Sequence, residues 1–356
     1  MSDSPQSRSP TLAPVPPSPR RRVPSWLKLA VSLLVSAGLF WLALAQVNLG
    51  QLNAVILGAN YLYIAAAIGV YFVDLGIRAL RWQVLLATTG HIPAKRLYPV
   101  LAVGYMANNL LPGRVGELSR AYLVAQREHV SGSAVLATVA IERVMDGLTV
   151  LVLLLAALAL LPEASFQVGW LGLLTQVAVV TFGLALLAFV VLIVARRFWL
   201  ALIGRIFRQL PHHIGNRLVT LLDRFITGLD VLRDPREVGW TIGLSVLVWL
   251  VGAVTYLLVA RSFGVHLSFV AAIATICVVN LATAIPQAPG GLGAFEAAAQ
   301  GFLILLGTSA TTAFGITIVL HAVLFFPVVV VGLLALWRME LPLLAPRAGR
   351  PAGTEA

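Results

Sequence analysis

Residues 108–117 read NNLLPGRVGE, and this break in an apolar stretch decides the fold. A second break at residues 286–296 reads PQAPGGLGAFE. Both copies contain Pro-Gly-x-x-Gly, both follow an apolar segment that bears an Asn, and both carry a Glu shortly afterwards. One such match is weak evidence, whereas two matches in corresponding positions of two hydrophobic halves indicate an internal repeat. The residues that form the breaks are Pro112, Gly113 and Gly116 in the first copy and Pro289, Gly290 and Gly293 in the second.

These breaks are costly at membrane depth because Pro removes a backbone donor and Gly releases the helix, which leaves amides that hydrocarbon does not satisfy. Broken helices persist where they line a cavity or are buried in protein, and paired breaks in two halves point to a transporter binding site. The helix after each break presents an N-terminus that attracts anions, and Arg114 adds a guanidinium that can fork onto a phosphate. The alternative interpretation is a pair of ordinary surface turns between short spans.

The chain around the breaks has the composition of a membrane protein. Of its 356 residues, 59% are hydrophobic and 11% are charged, against roughly 25% charged in soluble domains. The net charge of +11 arises from Lys and Arg residues that cluster between apolar runs. This clustering is typical of cytoplasmic loops that face anionic inner-leaflet lipids, and it argues against nucleic acid as a partner. Cys277 is the only cysteine, so the chain has no disulfide framework.

The apolar runs predict an all-α polytopic membrane protein with about six full spans plus two re-entrant hairpins broken at Pro-Gly. Each span needs ~20 predominantly apolar residues. If three full passes separate the hairpins, the hairpins enter from opposite sides, which is the topology of an inverted repeat. If one hairpin crosses the bilayer instead, this inverted topology does not follow. The predicted spans are residues 26–45, 58–77, 131–160, 168–195, 238–260 and 311–337, and the hairpins are residues 97–128 and 267–306.

The basic residues predict which side of the membrane each segment faces. The segment up to Lys28 holds five Lys and Arg residues, and residues 196–236 hold eight, whereas residues 46–57 hold none. We therefore expect a multi-pass protein of the inner (plasma) membrane with both termini in the cytoplasm. The predicted parts are a disordered cytoplasmic tail at residues 1–25, a transmembrane domain at residues 26–338 and a cytoplasmic tail at residues 339–356.

Within that domain, residues 198–236 form a basic cytoplasmic loop with apolar residues at helical spacing. The spacing is consistent with amphipathic helices that lie on the inner leaflet. An ordinary solvated connector packed on the bundle is the alternative.

Charged residues interrupt the apolar run at residues 134–161. Glu142 and Asp146 are four positions apart and share one helix face, which Thr138 extends by one turn. Arg143 lies about 100° around the helix, so we expect it either to neutralise a carboxylate or to hold a ligand anion. Because a charge at the bilayer centre costs roughly 2.5–3.5 kcal/mol on insertion scales, these residues must face polar partners. The alternative is structural ion pairing that joins helices.

A second charged group lies near the end of an earlier span. Asp74 and Arg78 are four positions apart, and Arg81 and Trp82 follow one turn later. We interpret these residues as an intrahelical ion pair followed by an interfacial anchor. The alternative is a basic vestibule at the inner leaflet, to which Arg114, Glu117 and Arg120 would also contribute.

The sequence contains no recognised catalytic arrangement. No His/Cys cluster has metal-binding spacing, no P-loop is present, and no Ser/His/Asp set can be assembled. His321 is a single histidine in a span, and we interpret it as a helix–helix hydrogen-bonding group rather than a proton relay. We therefore expect neither an enzyme nor a bound cofactor or metal.

Three motifs in this order resemble those of one family. They are the stretch at residues 108–120, the run ATVAIERVMD at residues 137–146 and the run PGGLGAFE at residues 289–296. The family is the flippase-like transmembrane domain that lies at the N-terminus of lysylphosphatidylglycerol synthases and also occurs as stand-alone proteins. The resemblance covers about residues 26–338. It implies the handling of lipids without the soluble synthase domain, and it leaves the identity of the lipid open.

The residues and the resemblance together predict a membrane lipid translocase that moves a polar or charged headgroup of a phospholipid or other lipid-linked substrate between leaflets. The headgroup would enter a polar cavity between the hairpins while the acyl chains stay in lipid. Two alternatives stay open: a non-catalytic membrane subunit that docks a soluble lipid- or glycan-modifying enzyme, and an integral-membrane transferase that acts on lipid-linked substrates. The candidate substrate-binding residues are Asn109, Arg114, Glu117, Arg120, Glu142, Arg143, Asp146, Asn280 and Glu296.

Overall fold

Every regular element that the structure describes is helical. The computed structural model describes residues 25–111, 115–161, 234–284 and 288–339, together with isolated positions between residues 172 and 231. The helices are α1 (Ser25–Leu44), α2 (Leu49–Leu57), α3 (Tyr61–Leu85), α4 (Ala94–Leu110), α5 (Val115–Glu128), α6 (Gly132–Leu160), α7 (Pro235–Ser262), α8 (Phe269–Ala282), α9 (Ala294–Leu305) and α10 (Ala310–Met339), with a 3-10 turn at Pro289–Gly291.

Several of these helices begin where the sequence supplies a capping group. The Asn60 side chain accepts a hydrogen bond from the backbone N–H of Leu62 at 3.0 Å, at the start of α3. Ser268 caps α8 in a similar way, and Asp234 followed by Pro235 begins α7. These caps satisfy amide groups that the first turn of a helix leaves without a partner, which fixes where each helix begins.

Four helices, α3, α6, α7 and α10, are long and apolar enough to cross a membrane. The segments Leu33–Leu44 and Leu49–Leu57 form a bent pair with an angle of 85°, which makes a fifth span if the pair is counted as one. The prediction of an all-α membrane protein is therefore confirmed. The predicted span at residues 168–195 lies outside the described residues apart from isolated positions, so the count of six stays a prediction. The same holds for the tails at residues 1–25 and 339–356 and for the basic loop at residues 198–236, of which only a few positions are described.

The described helices form two units of the same order. Each unit has a long helix, two short helices with a break between them, and a second long helix, namely α3 to α6 and α7 to α10. The backbone N–H of Asn60, which precedes α3, donates to the carbonyl of Ser262 at the end of α7 at 2.8 Å. Arg81 near the end of α3 donates to Ser245 in the first half of α7 at 3.0 Å. Because α3 and α7 thus run antiparallel, the two units point in opposite directions, as expected for an inverted repeat.

Each pair of short helices begins and ends at the same end of the bundle. Arg96 at the start of α4 pairs with Glu128 at the end of α5 at 3.1 Å. The second pair lies between the end of α7 and the start of α10, and these points are neighbours because Gly315 in α10 faces the Phe263 ring just beyond α7. Since α7 runs opposite to α3, the two pairs enter the bundle from opposite ends. This geometry is that of two hairpins, while their re-entry into a bilayer stays a prediction.

The two breaks approach each other near the middle of the bundle. Gly290 lies against the backbone carbonyl of Asn109 and against the ring of Phe325, which is halfway along α10. The backbone N–H of Ala288 donates to the hydroxyl of Ser36, in the second half of α1, at 3.1 Å. The breaks therefore lie well inside the helical bundle rather than at its ends.

Two glycines of the breaks are required by close backbone contacts. Gly293 has a φ of 89°, and a side chain at this position would overlap the backbone of Ser36. Gly116 donates its N–H to the Asn108 side chain at 2.9 Å, and a β-carbon on Gly116 would overlap the carbonyl group of Gly104. These contacts give a packing reason for glycine at these two break positions.

The hairpins are exchanged between the two units. The first helix of each hairpin packs along the last helix of the other unit, so α4 lies on α10 and α8 lies on α6. Gly332 allows close packing between α10 and α4, where it faces Met106 and the backbone of Ala102. One apolar cluster contains Trp82 and Leu101, and a second apolar cluster contains Phe302. Residues of both clusters line the cavity that is described below.

Candidate functional site

Eight charged side chains from three helices gather in the core of the first unit. They carry four guanidinium groups and four carboxylate groups, and we call them the ionic cluster. The sequence predicts an intrahelical pair of Asp74 and Arg78 and offers a vestibule with Glu117 and Arg120 only as an alternative. It does not predict that these residues join Glu142, Arg143 and Asp146. The members are Asp74, Arg78 and Arg81 of α3, Glu117 and Arg120 of α5, and Glu142, Arg143 and Asp146 of α6.

Arg81 lies at the centre of the ionic cluster, and its side chain is 0% exposed. Its guanidinium donates to both carboxylate oxygens of Asp146 and lies 3.3 Å from Glu142. It also donates to the hydroxyl of Ser245 on α7. The interpretation of Arg81 and Trp82 as an interfacial anchor is therefore wrong. Both side chains are fully buried in the bundle, where they contact residues of α5, α6 and α7.

Glu142 accepts hydrogen bonds from two further arginines. Arg120 lies 3.0 Å and Arg143 lies 2.6 Å from its carboxylate oxygens. The Arg120 guanidinium also stacks over the Trp82 ring, with 4.9 Å between the guanidinium carbon and the ring centroid. The Trp82 indole N–H in turn donates to the Thr138 hydroxyl at 3.1 Å. Thr138 and Glu142 thus share the buried helix face that their spacing predicts.

Arg143 connects the ionic cluster to open space. Its guanidinium lies 3.2 Å from Asp146 and 3.7 Å from Glu117, in addition to its bond with Glu142. Unlike Arg81, its side chain is 33% exposed, and it lines the cavity described below. Arg143 therefore neutralises carboxylates and also faces the space in which a ligand would lie.

Arg78 is held against the cavity by three neighbours. It donates to Asp74 at 2.7 Å, which confirms the predicted intrahelical pair, and to the Tyr105 hydroxyl at 3.3 Å. Its guanidinium carbon lies 5.5 Å from the centroid of the Trp249 ring, within the range of a cation–π contact. Residues of α3, α4 and α7 thereby position the Arg78 side chain.

The ionic cluster has equal numbers of positive and negative groups. Burying two charges is costly, and their mutual attraction offsets that cost only if geometry and additional hydrogen bonds are good. Removing one partner of a buried pair typically costs about 3–5 kcal/mol because it leaves an uncompensated charge. The cluster therefore holds α3, α5 and α6 in one arrangement. No group of three or more potential metal ligands occurs among the described residues.

A cavity of about 220 Å³ lies beside the ionic cluster. Asp146 of α6 and Leu324 of α10 line it, and both residues lie halfway along their helices. Its charged wall contains Asp74, Arg78, Arg143 and Asp146. The opposite wall combines polar residues of α7 and α8 with apolar side chains, including Thr255, Asn280, Thr283, Ile276, Val279 and Phe295.

Four buried polar atoms of residues that line this cavity have no hydrogen-bond partner in the part of the chain that the structure describes. They are the Asp74 Oδ1 atom, the Arg143 Nε atom, the Trp249 indole N–H and the Thr255 hydroxyl. Unpaired buried polar groups are costly, typically about 1–3 kcal/mol each. A ligand or ordered water in the cavity would satisfy them after a small rotation of these side chains toward the cavity.

The predicted site residues divide between the cluster, the cavity and the breaks. Glu117, Arg120, Glu142, Arg143 and Asp146 meet in the ionic cluster, and Asn280 lines the cavity on the opposite side. Asn109 does not line the cavity and instead contacts the second break through its carbonyl. Pro112, Gly113 and Arg114 lie outside the described residues.

Glu296 has a different setting from the other acidic residues. Its carboxylate accepts the N–H of Gly293 at 2.7 Å and lies 2.5 Å from the Nδ1 atom of His321. Glu296 therefore caps the start of α9 and joins it to α10. This contact agrees with the interpretation of His321 as a helix–helix hydrogen-bonding group.

Several residues of the cavity were not found from the sequence. Tyr105, Trp249 and Thr255 are single polar or aromatic residues in apolar helices, and nothing in their spacing marks them as neighbours. Arg81 carried a usable signal, because it shares a helix face with Asp74 and Arg78. That signal was missed because the span was predicted to end before Arg81.

Comparison with known proteins identifies related membrane proteins. A family model described as the lysylphosphatidylglycerol synthase TM region matches residues 26–332. A UPF0104 membrane protein of Methanothermobacter thermautotrophicus is 26% identical over 300 residues, which cover 81% of this chain and 88% of that protein. The glycosyltransferase AglD of Haloferax volcanii is 25% identical over 318 residues, which cover 81% of this chain and 50% of that protein. No solved structure matches the chain.

Proposed function

The chain belongs to the lysylphosphatidylglycerol synthase TM region family, and from this premise we propose that it is a membrane lipid translocase. In this proposal, it moves a polar or charged lipid headgroup between the two leaflets of the inner (plasma) membrane, with both termini in the cytoplasm. The observation that carries the proposal is the cavity with a charged wall halfway along the spanning helices. A binding site for a water-soluble ligand would not need to lie halfway along the spanning helices.

The size of the cavity supports a headgroup as the occupant. Its volume of about 220 Å³ is smaller than the roughly 300–1,000 Å³ typical of pockets for drug-sized ligands. A headgroup fits such a space, whereas a lipid with its acyl chains does not. In the proposal, the acyl chains therefore remain in the bilayer while the headgroup passes the ionic cluster.

The charges of the cavity wall supply the binding chemistry. Arg78 and Arg143 can form charge-assisted hydrogen bonds to phosphate oxygens. Asp74 and Asp146 balance those charges or meet a cationic part of the headgroup. Arg114 is proposed to add a further phosphate contact at the first break, as the sequence predicts.

The two hairpins supply a route for movement in this proposal. They enter from opposite ends and meet near the middle, where α8 and α9 also border the cavity through Asn280 and Phe295. Transporters built from inverted repeats place their sites at such breaks, and they open the sites alternately to each side by moving one repeat against the other. Small shifts of the hairpins would expose the cavity first to one leaflet and then to the other.

A docking subunit is the second candidate function. The match with the glycosyltransferase AglD covers 50% of that protein, so in that relative the shared region is joined to a further segment. By analogy, this chain would act as a non-catalytic membrane partner of a soluble lipid- or glycan-modifying enzyme. Co-purification of such an enzyme, without any lipid movement by this chain alone, would favour this function.

An integral-membrane transferase is the weaker alternative. Glu142 or Asp146 would have to act as a general base. Glu142 is surrounded by Arg81, Arg120 and Arg143, and three guanidinium groups hold a carboxylate in its charged, hydrogen-bonded state rather than free it for proton transfer. We therefore propose that the chain is not an enzyme.

The test is leaflet exchange of acyl-labelled phospholipids in proteoliposomes that contain the purified protein. We expect exchange above that of protein-free liposomes, and we expect the Arg143→Gln variant to slow it about tenfold, equivalent to about 1.4 kcal/mol of lost interaction. The matched control is Arg96→Gln, which removes an arginine of an exposed ion pair with Glu128. Absence of exchange for every headgroup, with a correctly folded protein, would contradict the translocase proposal and favour the docking subunit.

A further inference from the structure

We infer that the cavity selects a lipid headgroup that carries one ammonium and one phosphate and has no net charge. This inference rests on the proposed function and names its substrate class. The observations that carry it are the balance of charges around the cavity and the chemistry of its unpaired buried atoms.

The charge balance of the described cavity wall and ionic cluster disfavours headgroups with a net charge. Asp74, Arg78, Arg143 and Asp146 line the cavity with two charges of each sign, and the remaining four members of the ionic cluster are likewise balanced. A phosphate without a cation would bring an uncompensated negative charge into this space. A headgroup with two ammonium groups would bring an uncompensated positive charge. Both are costly at a partly buried site, whereas a zwitterion brings neither.

One wall of the cavity provides the acceptor for an ammonium group. Asp74 is 4% exposed, and its Oδ2 atom accepts from Arg78 while its Oδ1 atom has no hydrogen-bond partner among the described residues. A carboxylate oxygen that lacks a donor is an acceptor only, so its missing partner must bring a hydrogen. A primary ammonium group of a ligand supplies that hydrogen and also offsets the charge of Asp74.

The neighbouring groups provide donors for a phosphate. The Trp249 indole N–H is buried and has no partner among the residues that the structure describes, and an indole N–H acts only as a donor. Arg143 lines the same cavity, and its Nε atom has no hydrogen-bond partner in the described structure although Glu117 lies 3.7 Å away. The Thr255 hydroxyl can donate as well. All three are donors, so a phosphate, which offers several anionic oxygens, matches them.

The apolar part of the wall limits the size of the headgroup. Leu75, Ile276, Val279, Phe295 and Leu324 close the remaining surface of the cavity. A short headgroup, such as ethanolamine phosphate, suits a cavity of about 220 Å³ bounded by these side chains. A long aminoacyl extension would have to lie on apolar surface, which costs the hydration of its polar groups.

The first test uses the native protein in proteoliposomes with four acyl-labelled lipids of different headgroups. We expect phosphatidylethanolamine to exchange about tenfold faster than phosphatidylglycerol, which lacks the ammonium, and than lysylphosphatidylglycerol, which has two ammonium groups. Phosphatidylcholine keeps the positive charge but has no N–H for Asp74, so we expect an intermediate rate. Equal rates for all four headgroups, or the fastest rate for lysylphosphatidylglycerol, would overturn the inference and leave the translocase proposal intact.

The second test changes the ammonium acceptor. Asp74→Asn keeps the shape of the side chain but removes its charge, so we expect the preference of phosphatidylethanolamine over phosphatidylglycerol to disappear. Arg96→Gln is the matched control, and its preference should equal that of the native protein. An unchanged preference in Asp74→Asn would overturn the inference.

A thermal unfolding assay provides the same test without a variant. We expect free phosphoethanolamine, but not glycerol phosphate, to protect the native protein against thermal unfolding. No difference between the two compounds would overturn the inference.

If no headgroup exchanges at all, the proposed function itself fails, and that result is distinct from loss of selectivity. The protection assay then decides whether the cavity still binds the ammonium phosphate headgroup.

Discussion

Arg81 organises the charged core although it touches no part of the cavity. It contacts Asp146 and Glu142 on α6 and Ser245 on α7. These contacts fix the carboxylates that in turn position Arg143 at the cavity wall. At the scale of single residues, the structure therefore separates a buried supporting arginine, Arg81, from a partly exposed arginine, Arg143, that can meet a ligand.

This separation predicts a large difference in stability between two arginine substitutions. Arg81→Met leaves Asp146 and Glu142 with an uncompensated buried charge, so we expect the free energy of unfolding to fall by about 3–5 kcal/mol. The measurement is reversible unfolding in mixed detergent micelles. Arg96→Met is the control, because its side chain is 59% exposed and exposed pairs contribute about 0–1 kcal/mol.

A double substitution separates lost charge pairing from lost packing. Arg81→Met combined with Asp146→Asn removes one charge of each sign, so part of the lost stability should return. Equal losses for Arg81→Met and Arg96→Met would show that the cluster does not hold the helices together.

At the scale of elements, the two hairpins define the architecture. Each begins and ends at one end of the bundle, and the two enter from opposite ends. A hairpin that returns to its own side leaves the segments before and after it on the same side of the membrane, whereas a crossing hairpin separates them. This difference is measurable in cells.

Single cysteines in a Cys277→Ser background test the hairpins. Thr88→Cys lies before α4 and Gln126→Cys near the end of α5, and both positions are exposed. We expect a membrane-impermeant thiol reagent to reach neither from outside the cell but both after permeabilisation. His266→Cys before α8 and Ser309→Cys after α9 should react from outside. Opposite accessibility of the two positions that flank one hairpin would contradict re-entry.

The sequence allowed the hairpins to be predicted because their chemistry is local. Proline followed by glycine, at residues 112–113 and 289–290, favours a break in an apolar run, so both breaks can be predicted without knowledge of the tertiary structure. A proline alone does not end α4 at Pro99 or α10 at Pro327. Gly116 and Gly293 were grouped with the breaks by spacing, and the structure explains both by backbone contacts.

The cavity could not be predicted in the same way, because it depends on which helices become neighbours. Trp249 and Thr255 face Asp74 only after α7 packs against α3. The spacing of the polar residues within α7 does not predict its contact with α3. Conversely, Glu142 and Asp146 were recognised because carboxylates in an apolar helix need partners, although the identity of one partner, Arg81, was missed.

At the scale of the whole molecule, two oppositely directed units exchange their hairpins, and residues of both units line the cavity. The exchange of α4 and α8 ties each unit to the last helix of the other. The ionic cluster belongs to the first unit, whereas Asn280, Thr283 and Phe295 of the second unit form part of the opposite wall. A movement of one unit against the other therefore changes the shape of the cavity directly.

Blocking the cavity tests the central claim that lipid headgroups pass through it. Thr283→Cys in the Cys277→Ser background places a thiol at the cavity wall with little change in volume. The same protein preparation is reconstituted with and without prior reaction with a bulky maleimide, and exchange of labelled phospholipid is compared. Ser309→Cys, labelled in the same way at an exposed position away from the cavity, is the control. We predict that labelling at position 283 stops exchange and that labelling at position 309 does not. Exchange at the unlabelled rate by protein that is fully labelled at position 283 would contradict passage through the cavity.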